Sequence, residues 1–158
     1  MKEKYQKLPL RSGVGIVLLN KENKIFVAKR IDNPKNFWQL PQGGVGKDED
    51  FYTAALRELK EETSIVSVKP IKEIEESLTY ILPDHLIGII WKGKYKGQKQ
   101  KWFIMKFIGD ELEVNIKTKR PEFLEWKWID LENLTEIAVH FKLEVYKKLK
   151  SEIKKILD

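Results

Sequence analysis

Short runs of β-branched and aromatic residues alternate along this chain with only two long helical stretches, and this alternation restricts the possible fold most. Helix formers run from Asp48, a plausible N-cap, through Glu62, and apolar residues recur at helical spacing from about Ala138 to Leu157. Strand-like composition predicts strands at 14–19, 25–28, 65–68, 87–91, 102–107 and 123–129. Such a mixture predicts one α+β or α/β/α domain, in which helices cover a mixed sheet.

A glycine-rich segment precedes the first helical stretch. The short apolar piece 37–40 leads into Pro41–Gln42–Gly43–Gly44–Val45–Gly46. Three glycines in four residues are typical of a tight loop rather than of a regular element. We therefore expect a loop here whose backbone can approach a ligand closely.

Composition excludes several classes of protein. The 158 residues are 42% hydrophobic and carry 30 Lys and Arg against 24 Asp and Glu, a net charge of +6. A disordered chain is excluded, and the mild basic excess fits a partner that carries phosphates. The chain has no Cys, which excludes disulfides, Cys-based zinc sites and a thiol nucleophile. The longest apolar runs, 14–19 and 86–91, are too short to cross a membrane, so we expect a cytoplasmic protein.

The first helical stretch carries glutamates at i, i+3 and i+4, namely Glu58, Glu61 and Glu62. A helical turn of ~100° per residue places Glu58 and Glu62 on the side that should pack inward, which they share with Phe51, Ala54 and Ala55. Inward carboxylates are unfavourable unless a positive charge meets them, and a divalent cation would do so. A solvated acidic stripe is the alternative for the helix alone, and the adjacent glycine loop favours the metal site.

The segment from Gly43 to Ile65 resembles the Nudix box, the loop-helix-loop signature of hydrolases that cleave a nucleoside diphosphate linked to another group. Five residues separate Gly43 from Glu49, and seven more separate Glu49 from Arg57–Glu58–Leu59. Glu61, Glu62 and the apolar Ile65 complete the pattern. Ser64 departs from it, because the family usually has glycine at this position, which puts the geometry of the helix end in doubt.

The resemblance extends along almost the whole chain. The segments 38–44, 97–103 and 121–126 are similar to segments of bacterial RNA pyrophosphohydrolases and of the related dinucleoside polyphosphate hydrolases. Members of this branch fold as an α/β/α sandwich on a mixed β-sheet flanked by helices. The resemblance implies that residues 1–158 form a single Nudix hydrolase domain.

The resemblance also implies a metal site and roles for its residues. Glu58, Glu61 and Glu62 would hold Mg²⁺, or Mn²⁺ or another divalent cation, with Glu122 as a fourth carboxylate and Gly43 adding a backbone carbonyl. Glu58 or Glu122 would accept the proton of the attacking water, and this choice stays open. Arg57 would orient the glutamates, and its alternative is a surface arginine paired with Glu61.

Further residues are implied in substrate binding. Phosphate clamps would come from basic side chains, and an aromatic pair would contact a base. Both histidines, His85 and His140, lack metal-ligand spacing to a second histidine and are interpreted as structural. The substrate-binding candidates are Arg11, Arg30, Gln42, Tyr80, Lys99, Lys101 and Phe141.

Three functions remain open on the sequence. The first choice is Mg²⁺-dependent hydrolysis of the 5′-triphosphate end of RNA to a monophosphate with release of pyrophosphate, which would promote mRNA decay. The second is hydrolysis of diadenosine tetraphosphate and related dinucleoside polyphosphates, which the loop 31–37 could favour. The third, from another class, is a non-catalytic RNA or nucleotide sensor. The partner is thus an RNA 5′ end or a nucleoside polyphosphate and not a membrane, and oligomeric state and protein partners stay open.

Overall fold

The computed structural model describes residues 1–32, 35 and 37–158. The predicted loop 31–37 falls partly outside the described residues. The strands are β1 (Leu10–Leu19), β2 (Ile25–Arg30), β3 (Gln42–Gly44), β4 (Val68–Glu73), β5 (Leu78–Ile81), β6 (Gly97–Phe107) and β7 (Phe123–Ile129). The helices are α1 (Glu3–Gln6), α2 (Phe51–Thr63) and α3 (Leu143–Leu157).

The sheet is built around the parallel pair β1 and β6, which runs from Leu10 opposite Gly97 to Leu19 opposite Lys106. The strand order is β4-β6-β1-β2-β7, and the other pairs are antiparallel. At the start of β1 and β6, the short strands β3 and β5 take the places that β2 and β4 occupy further along. The sheet is therefore mixed, as predicted, and its central strands open into two short strands at one end.

Each face of the sheet is covered by one long helix. Alternate residues of β1 enter opposite cores because successive strand side chains point to opposite faces. Val14, Ile16 and Leu18 pack with Ala54, Ala55 and Leu59 of α2, whereas Val17 and Leu19 pack with Tyr146, Leu149 and Ile153 of α3. This layering confirms the predicted fold class, helices on both faces of a mixed sheet. None of the helices in the described ranges is both long and apolar enough to span a bilayer.

Two sequence predictions were wrong about element type. Residues 87–91 form turns and enter a short 3₁₀ segment instead of a strand, because Gly88, Trp91 and Lys92 adopt positive φ angles of 97°, 53° and 58°. The glycine segment, expected to be a loop, includes strand β3, which pairs with Gly13–Gly15 of β1. β5 was not predicted from the sequence.

Element boundaries also differ from the prediction. The cap of α2 is Asp50, whose carboxylate accepts from the Thr53 N–H at 2.7 Å, while Asp48 has a φ of 65° and lies outside the helix. Phe51 is 41% exposed rather than packed inward. The strand expected at 65–68 begins at Val68, and α3 begins at Leu143 rather than near Ala138.

Candidate active site

The glutamates of α2 differ sharply in burial. Glu62 is only 3% exposed, and the Glu58 side chain is 14% exposed, whereas Glu61 is 58% exposed. The difference follows from helical spacing, since Glu58 and Glu62 share the face that carries Ala54, Ala55 and Leu59 against the sheet. Two carboxylates are thus held at the inner side of the helix, and the third lies at its edge.

The Glu58 side chain lies directly against strand β3. A Cβ atom at Gly43 would collide with the Glu58 carboxyl group. Gly43 is paired with Val14 of β1, so its backbone position is fixed by the sheet. The glycine therefore allows the carboxylate to lie flat on the strand, next to the Gly43 backbone.

Arg57 ties together the loop and the helix. Its Nε and Nη2 donate to the two carboxylate oxygens of Glu49 at 2.8 and 2.9 Å. Nη1 donates to Glu58 at 2.9 Å and to Glu61 at 3.2 Å, and Nη2 also donates to the Gly44 carbonyl at 3.0 Å. These hydrogen bonds lower the pKa of Glu49 to about 2. A planar guanidinium with five N–H donors can fix so many acceptors, which an ammonium group cannot.

Glu62 is a buried carboxyl group whose ionised form is poorly compensated. Its Oε2 is buried and has no hydrogen-bond partner in the part of the chain that the structure describes. Burial, followed by the nearby charges of Glu122 and Glu58, raises its pKa well above the usual value. Burial also raises the pKa of Glu58, although Arg57 opposes the shift.

Glu122 approaches from a separate part of the chain. It immediately precedes β7, and its carbonyl accepts from the Ile31 N–H at 2.9 Å, directly beyond β2. This backbone bond brings the end of β2 and the start of β7 together beside Glu62. The sequence candidates Glu58, Glu62 and Glu122 therefore converge on one place in the fold.

A divalent cation fits this donor set chemically. Hard oxygen ligands are present, the Glu62 Oε2 has no hydrogen-bond partner among the described residues, and burial raises the pKa of Glu62 and Glu58 despite the nearby Arg30 and Arg57. As positioned, no three His, Cys, Asp or Glu side chains in the described ranges are close enough to share one metal ion. Closing the remaining distances requires side-chain rearrangement, which Glu61 and Glu122, both at the surface, can make.

Two cationic side chains, Arg30 and Lys142, are close enough to Glu62 to interact with it electrostatically. Arg30 forms a two-pronged ion pair with Asp32 at 2.8 and 3.0 Å and is electrostatically coupled to Glu62 and Glu122. Lys142 is 8% exposed, and burial followed by the charge of Arg30 lowers its pKa to about 8. Its Nζ lies 5.3 Å from the centroid of the Tyr80 ring.

Aromatic and amide side chains lie together at the same end of the sheet. The rings of Tyr80 and Phe141 are 5.8 Å apart, and the Gln42 side chain bonds both to the Tyr80 hydroxyl and to Gln100. The Gln100 Nε2 donates to Gln42 at 2.9 Å. The structure thus brings three of the substrate-binding candidates into direct or near contact.

Arg11 lies on the same end of the sheet. Its guanidinium is 5.2 Å from the Trp91 ring and donates to the side-chain amide oxygen Oε1 of Gln98 at 3.0 Å. A Cβ at Gly44 would meet this guanidinium, so the Arg11 side chain lies directly against the Gly44 backbone. Arg11 therefore lies on the face of β3 opposite to the one that contacts Glu58, because successive strand residues point to opposite faces.

Lys99 and Lys101 lie on the opposite face of β6 from Gln98 and Gln100, because strand side chains alternate. The Lys101 Nζ donates to the Glu75 carbonyl. The structure does not join either lysine to the glutamate cluster.

Sequence reasoning missed Lys142 and the buried amides Gln98 and Gln100. The sequence nevertheless contains a pattern that could have indicated each of these residues. Lys142 is at helical spacing from the buried residues Val145, Tyr146 and Leu149, which places it on the inner face. Gln98 and Gln100 alternate in step with the buried Trp102 and Ile104.

Comparison with known proteins places the chain in a family. Residues 9–149 match the NUDIX domain. The chain is 65% identical, over 158 residues and all of both chains, to the RNA pyrophosphohydrolase of Pelagibacter ubique. It is 46% identical, over 91% of each chain, to that of Roseobacter denitrificans.

Solved structures share the fold. An Ap4A hydrolase of C. elegans in a binary complex superposes with a TM-score of 0.66 at 24% identity, covering 92% of this chain and 99% of that one. The dihydroneopterin triphosphate pyrophosphohydrolase of E. coli gives a TM-score of 0.67 at 21% identity, with the same coverage. The matched domain and the full-length relatives agree with the helix of glutamates that packs on a glycine-containing strand. Together they show that this chain belongs to the Nudix hydrolase family.

Proposed function

We propose that this Nudix hydrolase removes pyrophosphate from the 5′-triphosphate end of RNA, leaving a 5′-monophosphate, and thereby promotes mRNA decay. The observation that carries the chemistry is the Glu62 carboxylate, which is buried beside Glu58 and Glu122 and whose Oε2 has no hydrogen-bond partner among the described residues. The choice of RNA is supported by the full-length relatives, which are RNA pyrophosphohydrolases at 65% and 46% identity. Residues 1–158 would act as one domain in the cytoplasm, where such RNA is degraded.

The carboxylates are the groups that would hold divalent cations, with Mg²⁺ the first choice. Glu58, Glu61, Glu62 and Glu122 would provide side-chain oxygens, and Gly43 a backbone carbonyl. When bound, the cations neutralise phosphate oxygens and lower the pKa of a bound water.

The remaining chemistry belongs to the side chains. A water adds to phosphorus, the bond between the α and β phosphates breaks, and pyrophosphate leaves. Glu58 or Glu122 accepts the proton of the attacking water, and Arg57 holds Glu58 in place through its 2.9 Å hydrogen bond. Both Glu58 and Glu122 interact electrostatically with Glu62, which supports either of them as the base.

The basic, aromatic and amide side chains around the carboxylates would position the substrate. Arg11, Arg30 and Lys142 offer positive charge to the phosphates. The Tyr80 and Phe141 rings, with Gln42 hydrogen-bonded to Tyr80, would contact the first base. Lys99 and Lys101 lie on the α2 face of β6, in step with Phe103 and Met105, and would serve only if the substrate extends along that face.

The test is a direct comparison of substrates. Catalytic efficiency on 5′-triphosphorylated RNA and on diadenosine tetraphosphate would be measured in one Mg²⁺ buffer, with γ-labelled RNA to identify pyrophosphate. We expect a preference for RNA of more than about tenfold, equivalent to ~1.4 kcal/mol at the transition state. The reverse preference would assign the chain to dinucleoside polyphosphates.

The Glu62→Gln variant tests whether turnover uses the carboxylate cluster. We expect a loss of at least about a hundredfold in kcat, because the amide cannot replace the anionic ligand. Unchanged pyrophosphate release by this variant would contradict the assignment, and binding without turnover by the unaltered protein would indicate a sensor.

A further inference from the structure

A groove lies beside the site, between the residues that lead to Glu122 and those that follow it. It measures about 430 Å³ and is lined by 114–117 on one wall and by Leu124, Glu125 and Trp126 on the other. The groove lies at the C-terminal end of α2, directly after Glu62, because Asn115 of the first wall is hydrogen-bonded to Thr63 and Ser64. Leu124 is only two residues from Glu122, ~7 Å along the chain.

The first wall continues into a basic segment, which we define as Lys117, Thr118, Lys119 and Arg120. The side chains of Lys117, Lys119 and Arg120 are exposed. Within the described parts of the chain, none of these three cations forms an ion pair with a carboxylate. Their charge is therefore open to an anionic partner.

The start of the basic segment is fixed to the end of α2. The Asn115 N–H donates to the Thr63 carbonyl, and the Asn115 carbonyl accepts from the Ser64 hydroxyl, both at 2.9 Å. The Asn115 side chain then accepts from the Lys117 N–H at 2.9 Å. These hydrogen bonds hold the first residue of the basic segment, Lys117, near the end of the helix that carries Glu58 and Glu62, and the rest of the segment follows directly from it.

The second wall is aromatic and apolar. Trp126 packs on Phe26 with ring centroids 5.6 Å apart and also lines the groove. Leu124 is 60% exposed. The one acid of this wall, Glu125, is met by Lys29 of β2 at 3.7 Å. An aromatic ring beside backbone-tracking cations is the combination that binds single-stranded nucleic acid.

We infer that this groove binds the single-stranded RNA that follows the 5′ end, with the basic segment contacting phosphates and Trp126 with Leu124 contacting a base. This inference rests on the proposed function and deepens it, because it makes the length of the RNA part of substrate recognition. Cations at the groove would favour a chain with several phosphodiesters over a free nucleotide.

The first experiment measures binding, which does not depend on turnover. The probe is a fluorescent single-stranded RNA of about 12 nucleotides with a 5′-monophosphate, titrated at several salt concentrations. The variant Lys117→Gln/Lys119→Gln/Arg120→Gln should bind at least about tenfold more weakly at low salt. Its slope of log K against log salt should fall by about 2, since each lost contact to a single strand removes about 0.7.

The matched control is Lys147→Gln/Lys154→Gln/Lys155→Gln on α3, which removes the same charge from the helix on the other side of the sheet. It should keep the salt slope of the unaltered protein. Equal slopes in the two triple variants would overturn the groove assignment and indicate a general charge effect. Thermal unfolding of both variants checks that they are folded.

A second pair of variants tests the apolar wall at one exposed position. Leu124→Glu should weaken RNA binding by about tenfold because it places an anion beside the phosphates, whereas Leu124→Gln should do so much less. Equal affinity of the two variants would contradict the contact.

Turnover then separates this inference from the proposed function. The ratio of kcat/KM on a long triphosphorylated RNA to that on a triphosphorylated dinucleotide should fall about tenfold in the basic-segment variant. If the unaltered protein does not hydrolyse triphosphorylated RNA, the proposed function fails while the binding result still decides the groove. If it does so and the ratio is unchanged, only the groove is refuted.

Discussion

At the scale of single residues, the site buries carboxyl groups whose negative charge is only partly compensated by the nearby arginines. Glu62 is the strongest case, with an unpartnered oxygen and a raised pKa. Such groups are unfavourable for folding and persist where a ligand meets them. Stability and activity should therefore respond in opposite directions to their removal.

Replacing Glu62 by Gln should raise the stability of the metal-free protein while it lowers activity. The substitution removes a buried charge at nearly constant shape, so we expect the free energy of unfolding in a chelating buffer to rise by at least about 1 kcal/mol. Urea unfolding near pH 8 measures the free energy of unfolding of both proteins. Glu61→Gln, at a side chain 58% exposed, should change stability little. A less stable Glu62→Gln protein would show that the charge is already compensated.

Lys142 should give the metal-free protein a distinctive pH dependence. Its pKa is about 8 in the folded protein because of burial, against an ordinary value of 10.5. Between these values the unfolded chain binds more protons, so the free energy of unfolding rises with pH, by an amount on the order of 3 kcal/mol in total. Below pH 8 the full penalty of burying the ammonium applies.

Urea unfolding of Lys142→Met and of the unaltered protein from pH 7 to pH 10 tests this sign. The variant should be the more stable protein at pH 7, and the difference should shrink as the pH approaches 10. A constant difference across that range would mean that Lys142 does not titrate there.

Ser64 occupies the box position where the family usually has glycine, and the structure shows how the helix end accommodates it. Its φ of 68° is left-handed, and its hydroxyl donates to the Asn115 carbonyl at 2.9 Å. We expect Ser64→Ala to lower the free energy of unfolding by about 1 kcal/mol, because it keeps the strained φ and loses the bond. Ser64→Gly should be closer to neutral, since relief of strain offsets the loss. Thermal unfolding of both variants decides, and an Ala variant as stable as the Gly variant would refute the strain.

At the scale of elements, the active site depends on a helix packed directly on a glycine strand. Gly43→Ala should push Glu58 away from β3, because the new methyl group and the carboxyl group would occupy the same space. We expect kcat to fall by about a hundredfold, as a displacement of ~1 Å in a catalytic group is costly. Gly46→Ala is the matched control, since its Cβ would lie 3.3 Å from a flexible Glu49 oxygen. Steady-state kinetics should show little effect there, and similar losses in both variants would contradict a specific role of Gly43.

Which elements could be predicted follows from where their stabilising contacts lie. α2 and β7 were predictable because their residue patterns match their own periodicity. β3 was not, because Gln42–Gly44 has no strand-forming side chains and is held by pairing with Gly13–Gly15 of β1. The segment 87–91 has strand composition, yet positive φ at Gly88 and Trp91 bends it into turns.

At the scale of the whole molecule, the site is assembled where β3 and β5 flank the start of β1 and β6. This topology collects Arg11, Gln42, Tyr80 and Gln98 from strands far apart in sequence. Glu58, Glu61 and Glu62 could be proposed from spacing because one helix carries all of them. The nearness of Lys142 to Tyr80 could not, since it depends on how α3 docks on the sheet.

Because folding gathers these carboxylates, a divalent cation should stabilise the folded protein as a whole. A ligand that binds only the native state raises the free energy of unfolding by RT ln(1 + [L]/Kd), about 2.7 kcal/mol at a hundredfold excess over Kd. We expect the Tm to rise with Mg²⁺ and to return on chelation.

The variants locate the source of that rise. Glu62→Gln should lose most of it, whereas Glu144→Gln, at an α3 side chain 86% exposed, should keep it. Equal rises in both variants would mean that Mg²⁺ acts elsewhere on the surface. No rise in the unaltered protein at millimolar Mg²⁺ would mean that the cation enters only with substrate phosphates, as Mg²⁺ sites with few protein ligands allow. The Tm measured with a non-hydrolysable triphosphate analogue present then separates that case from a site that binds no cation.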